Sequence, residues 1–181
     1  NIIGPVMVGP SSSHTAGSCG VIPAVLLPYY EMKQVPKEEI LKALFVTGGI
    51  GEVIAQRASI SGAEGGCQAE IGSASSFASA SLAYLHSLSL AQIEYAAEVA
   101  MEHFLGLTCD PVNGYVQIPC IERNAIASIH SYSAYLFSKD ISPYRKNKVS
   151  FDNVIQAMKE TGTELPSDLK ETSLGGLAKI I

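Results

Sequence analysis

Apolar positions along the chain recur mostly at three- and four-residue spacing, the period of a helix with one face turned inward. Pro36-Lys37-Glu38-Glu39 makes a favourable first helical turn, its acids facing the positive helix end. It opens a segment running towards Arg57, in which Ile40, Leu41, Leu44 and Phe45 give one apolar stripe before Gly48-Gly49 and Gly51 weaken it. Gly66 to Leu85 has a different texture, rich in Ala and Ser, and predicts a helix whose small side chains let neighbours come close on every side. Ser89 caps a helix through about Leu105, with Gln92 at the capping-box position and Ile93, Ala96, Ala97 and Ala100 on one face. Ile121 to Phe137 is a further helical stretch. Ser150 caps a last clear helix, with Val154, Ile155 and Met158 inward and Gly162 as its stop. Strand-like alternation is confined to Val6-Met7-Val8 and Tyr115-Val116-Gln117-Ile118. The pattern predicts an all-α fold without an internal repeat.

Composition narrows the class. The 181 residues are 47% apolar and 16% charged, enough for a substantial core with apolar surface left over for contacts. A net charge of −5 with scattered Lys and Arg argues against nucleic-acid binding. The one basic cluster, Arg145-Lys146-Asn147-Lys148, sits in a Pro-led polar stretch and reads as a solvated loop. No uncharged apolar run of about 18 residues marks a membrane span. The start, Asn1-Ile2-Ile3-Gly4-Pro5, lacks the features of a signal peptide. The four cysteines are therefore expected to be reduced thiols or metal ligands in a cytoplasmic protein.

Three of those cysteines occupy backbone-distorting contexts: Gly65-Gly66-Cys67, Cys109-Asp110-Pro111 and Pro119-Cys120. Glycine lets backbone approach a bulky group, and proline fixes chain direction beside a thiolate. Three convergent thiolates are one short of a closed tetrahedral site, and an open position is what metal catalysis needs. The spacing matches neither the paired cysteines of structural zinc nor the compact run of electron-transfer ferredoxins. On these residues alone, buried thiols, a zinc or redox-sensing site and a catalytic centre all remain open.

The surrounding words carry more. Ser59-Ile60-Ser61-Gly62-Ala63-Glu64 through Gly66-Cys67-Gln68-Ala69-Glu70, then Leu105-Gly106-Leu107-Thr108-Cys109-Asp110-Pro111-Val112, then Val116-Gln117-Ile118-Pro119-Cys120-Ile121-Glu122-Arg123-Asn124-Ala125 closely resemble the α chain, or α domain, of iron–sulfur-dependent L-serine dehydratases. The likeness extends from about Gly17-Ser18-Cys19-Gly20 to Gly175-Gly176-Leu177-Ala178. It implies an all-α catalytic domain with a [4Fe–4S] cluster on Cys67, Cys109 and Cys120, one iron left open as a Lewis acid. It further implies elimination of water from L-serine to give pyruvate and ammonia without pyridoxal phosphate. Cys19 matches a position where the family also uses alanine, which implies packing rather than ligation.

The N-terminus departs from that likeness. Ile2 to Gly17, with Gly9-Pro10-Ser11-Ser12-Ser13-His14-Thr15, resembles the start of the family's β chain, where this loop helps form the substrate site. The expected organisation is a β-type substrate-loop remnant at 1–17 spliced to a shortened α-type domain at 18–181. A fused or deleted gene product is the corresponding expectation, working with a serine dehydratase β chain or domain in a homo- or hetero-oligomer. Ser12, Ser13, His14 and Thr15 become candidate substrate contacts, with Glu64 beside Cys67 as a candidate for proton handling. Ser11 to Ser13 equally suit a helix cap, His14 a solvated loop, and Glu64 and Glu70 ordinary surface acids. Arg123 and Asn124, just after Cys120, suit either the cluster and substrate or a structural ion pair. His86, His103 and His130 carry no motif and read as structural.

Overall fold

The structure, a computed structural model, describes residues 16–142 and 147–181. Among them are eight α-helices: α1 (Ala16–Glu31), α2 (Lys37–Arg57), α3 (Gly62–Gly65), α4 (Ser73–Leu85), α5 (Leu90–Glu102), α6 (Cys120–Ile141), α7 (Phe151–Glu164) and α8 (Leu177–Ile180). A π-helical turn, Gln68–Gly72, runs directly into α4. The described residues hold no strand; pairing is limited to an isolated parallel bridge between Cys109 and Lys170. The Tyr115–Ile118 alternation is a turn leading into α6 rather than a strand. The Val6–Val8 alternation lies outside the described residues.

The centre of the fold is α4, packed by α1, α2, α5 and α6. Every residue from Ser73 to Ala83 is buried, as its small side chains predict. Serine at a dry interface needs a partner, and the neighbouring helices supply carbonyls. Ser76 and Ser79 hydroxyls donate to Ala97 and Ala96 of α5 at 2.7 and 2.9 Å. The Ser81 hydroxyl donates to Ala43 of α2 at 3.0 Å, and Ser75 reaches Ala127 and Ser131 of α6. Each such bond contributes about 1 kcal/mol net and fixes the rotation of α4 against its partners.

The capping signals behave as expected. Ser89 with Gln92 and Ser150 with Asn153 each form a reciprocal capping box. Ile93, Ala96, Ala97 and Ala100 are buried along α5, and Val154, Ile155 and Met158 along α7. Three expectations are corrected. Gly162 does not stop α7, which runs to Glu164. A Cβ there would lie 2.9 Å from the Gly65 Cα, so this glycine permits two backbones to touch. The stripe on α2 does not face the core either: Leu41 and Leu44 are exposed and Phe45 is 81% exposed, whereas Ala43, Thr47 and Ile54 are buried. Finally, Cys19 on α1 is exposed rather than packed.

Candidate metal centre

Cys67, Cys109 and Cys120 come from three separate segments, the last opening α6, and all are buried; the close group of donor atoms holds Cys67 and Cys109 but not Cys120. Cys67 follows Gly66, whose φ of +77° turns the chain between α3 and the π-turn. A Cβ on Gly66 would meet Leu107 backbone oxygen at 2.9 Å, so the Cys67 and Cys109 loops touch through a position only glycine can fill. Gln68 locks that contact. Its backbone N–H donates to Leu107, and its buried side-chain amide donates to Gly65 at 2.8 Å and Met158 at 3.1 Å. The same amide accepts from the Gly106 N–H at 2.9 Å.

The Cys109 loop is held from its other side by the segment after α7. Cys109 N–H donates to Leu169 at 2.8 Å, and Glu171 N–H donates back to Cys109 at 2.7 Å. The Leu177 N–H, opening α8, donates to the Asp110 carboxylate at 2.9 Å. Cys120 begins α6, where free N–H groups and the helix dipole favour a thiolate. One turn on, Arg123 reaches back to the Thr108 carbonyl at 2.8 Å and pairs with Asp110 at 2.9 Å, tying α6 to the Cys109 loop. Its guanidinium also reaches Cys67.

The electrostatics of this pocket favour one thiolate and penalise more. The Cys109 thiol donates to Cys67 and holds the latter below the ordinary thiol range; Arg123 acts the same way and burial opposes it. Cys109 is driven up, first by that hydrogen bond and then by burial. Burial pushes Cys120 up to about 12, with the Cys67 charge adding to it. Glu70 joins the group: the Cys67, Glu70 and Cys109 donor atoms all lie within 4.8 Å of one another. Burial, then the Cys67 charge, push the Glu70 carboxyl up to about 8 against the N–H of Gly17, which donates to it at 2.9 Å. A bound cation reverses these penalties, because it deprotonates coordinating thiols outright. The donor set is thus soft and buried, which fits an iron–sulfur group or another thiophilic metal.

Glu64, the acid singled out beside Cys67, is exposed on α3 and accepts a hydrogen bond from the Ser59 hydroxyl. Glu70 is the acid the structure brings to the thiols. Its signal was readable in principle, since a residue three past Cys67 shares its side of a helical turn, while Gly65-Gly66 breaks the helix between Glu64 and Cys67. Asp110, the carboxylate that fixes Arg123, carried no separate signal. Ser12, Ser13, His14 and Thr15 lie outside the described residues; Gly17, shortly after them, is bonded to Glu70. His86 stacks on Tyr135 with ring centroids 4.6 Å apart, in keeping with a structural role. His103 and His130 line a separate groove of about 450 Å³ between α5 and α6.

Fold and site define an all-α protein with three buried cysteines, two of which, Cys67 and Cys109, meet with the Glu70 carboxylate beside them. The family model of the serine dehydratase alpha chain matches residues 4–178. The chain is 49% identical to L-serine dehydratase 2 of Escherichia coli over 166 residues, 91% of this chain and 36% of that protein. It is 48% identical to an L-serine dehydratase of Streptomyces coelicolor over 167 residues, 91% of this chain and 36% of the other. A Helicobacter pylori L-serine dehydratase is 47% identical over 169 residues, 92% and 37% of the two chains. The chain belongs to the serine dehydratase α-chain family, and spans little more than a third of the length of these relatives. The α-chain match starts at residue 4 and takes in most of the 1–17 segment, so it lends no support to a β-type origin for that segment. Among the described residues no helix is long and apolar enough to cross a membrane.

Proposed function

We propose that this chain is the cluster-binding catalytic part of an L-serine dehydratase, a lyase that converts L-serine to pyruvate and ammonia. The observation that carries the reading is the close approach of buried Cys67 and Cys109, with buried Cys120 near enough to feel the Cys67 charge, in a chain of this family. Cys67, Cys109 and Cys120 would hold a [4Fe–4S] cluster. Such a cluster, when bound through three cysteines, supplies Lewis acidity that makes the serine hydroxyl a better leaving group. The chain's own residues do the rest. Arg123, held by Asp110 and Thr108, offsets thiolate charge and keeps α6 against the Cys109 loop. Gln68 fixes the spacing of the Cys67 and Cys109 loops. Ser12, Ser13, His14 and Thr15 are the substrate-side candidates, and Glu64 a candidate for proton transfer.

The exposed apolar faces on α2 (Leu41, Leu44, Phe45) and α6 (Ile126, Ile129, Tyr132) support an assembly with further protein, for which a serine dehydratase β chain or domain is the proposed partner. A cytoplasmic setting suits free thiols and a labile cluster. Anaerobic loading with ferrous iron and sulfide, followed by visible absorption and iron analysis, tests the cofactor. Pyruvate release from L-serine, with and without a β chain, tests the reaction. Cys67→Ala, Cys109→Ala and Cys120→Ala should each lose cluster and turnover, whereas Cys19→Ala should keep both; full cluster content in any of the first three would overturn the ligand assignment.

A second reading has one observation in its favour. Donor atoms of Cys67, Glu70 and Cys109 within 4.8 Å of one another also suit a single ion such as zinc. Stoichiometric zinc without iron in the purified chain, and no pyruvate in the presence of a β chain, would establish that reading.

A further inference from the structure

Two of the three cysteines meet an acid at the spacing of ligands to one ion, and the third does not. The donor atoms of Cys67, Glu70 and Cys109 all lie within 4.8 Å of one another, and Cys120 is outside that group. Packing divides the thiols in the same way. Cys67 and Cys109 belong to the main core, whereas Cys120 packs with Val116 in a small cluster of its own. Gly62 keeps the space beside the donors clear: a Cβ there would lie 2.9 Å from the Cys109 sulfur and 3.2 Å from Glu70 Oε2. The other carboxylate oxygen, Oε1, accepts the Gly17 N–H at 2.9 Å, which pins the side chain in place. Around one zinc ion, with bonds of about 2.3 Å to sulfur and about 2.1 Å to oxygen, neighbouring ligand atoms stand about 3.5–4 Å apart, within easy reach of this arrangement. A four-iron cluster makes a different demand. Its cysteines bind different irons, so their sulfurs stand further apart than two ligands of one ion.

From this arrangement we infer that Cys67, Cys109 and Glu70 form a single-ion site for zinc within the same pocket, and that zinc held there excludes the iron–sulfur cluster. The inference rests on the iron–sulfur reading above and makes zinc a competitor for the pocket, not its resident cofactor. Both occupants need Cys67 and Cys109, so they cannot be held together. They differ in the third ligand, which is Glu70 for zinc and Cys120 for the cluster. Two thiolates and a carboxylate suit zinc, with water completing the tetrahedron. Zinc supply thus sets how much of the chain can be loaded with iron and sulfide.

The test uses the whole chain, stripped of metal and kept anaerobic, with zinc and then ferrous iron plus sulfide as probes. The wild type should bind a single zinc, its affinity read by competition with a chromophoric chelator. Glu70→Gln keeps the acceptor for Gly17 but is a far weaker ligand. It should bind zinc about a hundred-fold more weakly, the upper end of what losing a supporting partner costs. Cys67→Ala and Cys109→Ala should do at least as badly. Cys120→Ala should match the wild type in zinc affinity although it loses the cluster, and Glu70→Gln should take up iron and sulfide as the wild type does. An equivalent of zinc added first should suppress the visible absorption of the cluster in the wild type and spare it in Glu70→Gln. Far-UV circular dichroism checks that the variants are folded; should Glu70→Gln unfold, Glu70→Asp, which withdraws the oxygen by one methylene, carries the same reading. Zinc held equally well by the wild type and a folded Glu70 variant overturns the site, as does an equal loss of zinc in Cys120→Ala. A full cluster formed with zinc still bound overturns the exclusion. A zinc-free wild type that takes up no iron and sulfide, yet binds zinc through Glu70, overturns the iron–sulfur reading and the exclusion but not the zinc site.

Discussion

Arg123 illustrates how much of the centre depends on single side chains. Its Nη1 bonds the Thr108 carbonyl at 2.8 Å and pairs with Asp110 at 2.9 Å, and the guanidinium also reaches Cys67. Lysine keeps the charge but, with one nitrogen on a flexible stem, cannot reach Thr108, Asp110 and Cys67 together from a rigid planar group. Arg123→Lys should therefore weaken metal retention about ten-fold, and Arg123→Met towards a hundred-fold, in chelator competition monitored by metal content. Equal retention in both variants would show that the guanidinium only fills space. At this scale the cysteines were legible, because Gly and Pro beside a thiol are local marks. Glu70 was legible only as one of two acids flanking Cys67, and the choice between them turned on burial. Glu64 ends exposed while Glu70 is buried, a difference made by what packs on the π-turn.

At the scale of elements, glycine shows how one residue type takes opposite meanings. Gly48 lies inside α2, and a Cβ added to it would have nothing within 4 Å, so Gly48→Ala removes unfolded-state freedom without a clash. It should stabilise the chain by about 0.5–1 kcal/mol. Gly162 also lies inside a helix, but its Cβ would fall 2.9 Å from the Gly65 Cα of α3. Gly162→Ala should cost about 1–3 kcal/mol and loosen the Cys67 loop with it. Urea unfolding of the two variants side by side checks both signs, and a stabilised Gly162→Ala would mean that α3 and α7 separate freely. A sequence pattern cannot distinguish these glycines, since both interrupt a helical stripe. Nor could it choose between the two apolar faces of α2: Ala43, Thr47 and Ile54 recur at helical spacing as Leu41, Leu44 and Phe45 do. The smaller set faces inward because α4 offers mainly serine and alanine, and close approach needs short side chains on both helices.

At the scale of the whole molecule, buried acids link folding to pH. Glu98 on α5 is buried, and burial first, then its hydrogen bond with Glu102, raises its carboxyl from 4.5 to about 7 in the folded chain. Asn147 donates to it at 3.0 Å and offsets part of that rise. A folded value above the unfolded one means the folded state holds the proton longer. The associated stability is complete below pH 4.5 and is lost as pH rises to about 7. Wild type should thus lose more stability than Glu98→Gln between about pH 4.5 and 7 in urea titrations; identical pH profiles would contradict the assignment. What the sequence determined by itself was the local part: helix starts from Pro36, Ser89 and Ser150, a small-residue helix suited to the centre, and three thiols at special backbone positions. Caps, propensities and glycine turns act within about one helical turn, so they can be read from neighbours along the chain. Only the tertiary structure decided which acid meets the thiols, which face of α2 is covered, and that Arg123 closes the Cys109 loop. Those outcomes depend on residues far apart in sequence being held by α4 and by the Gly65–Gly162 contact, and packing between distant segments leaves no local trace.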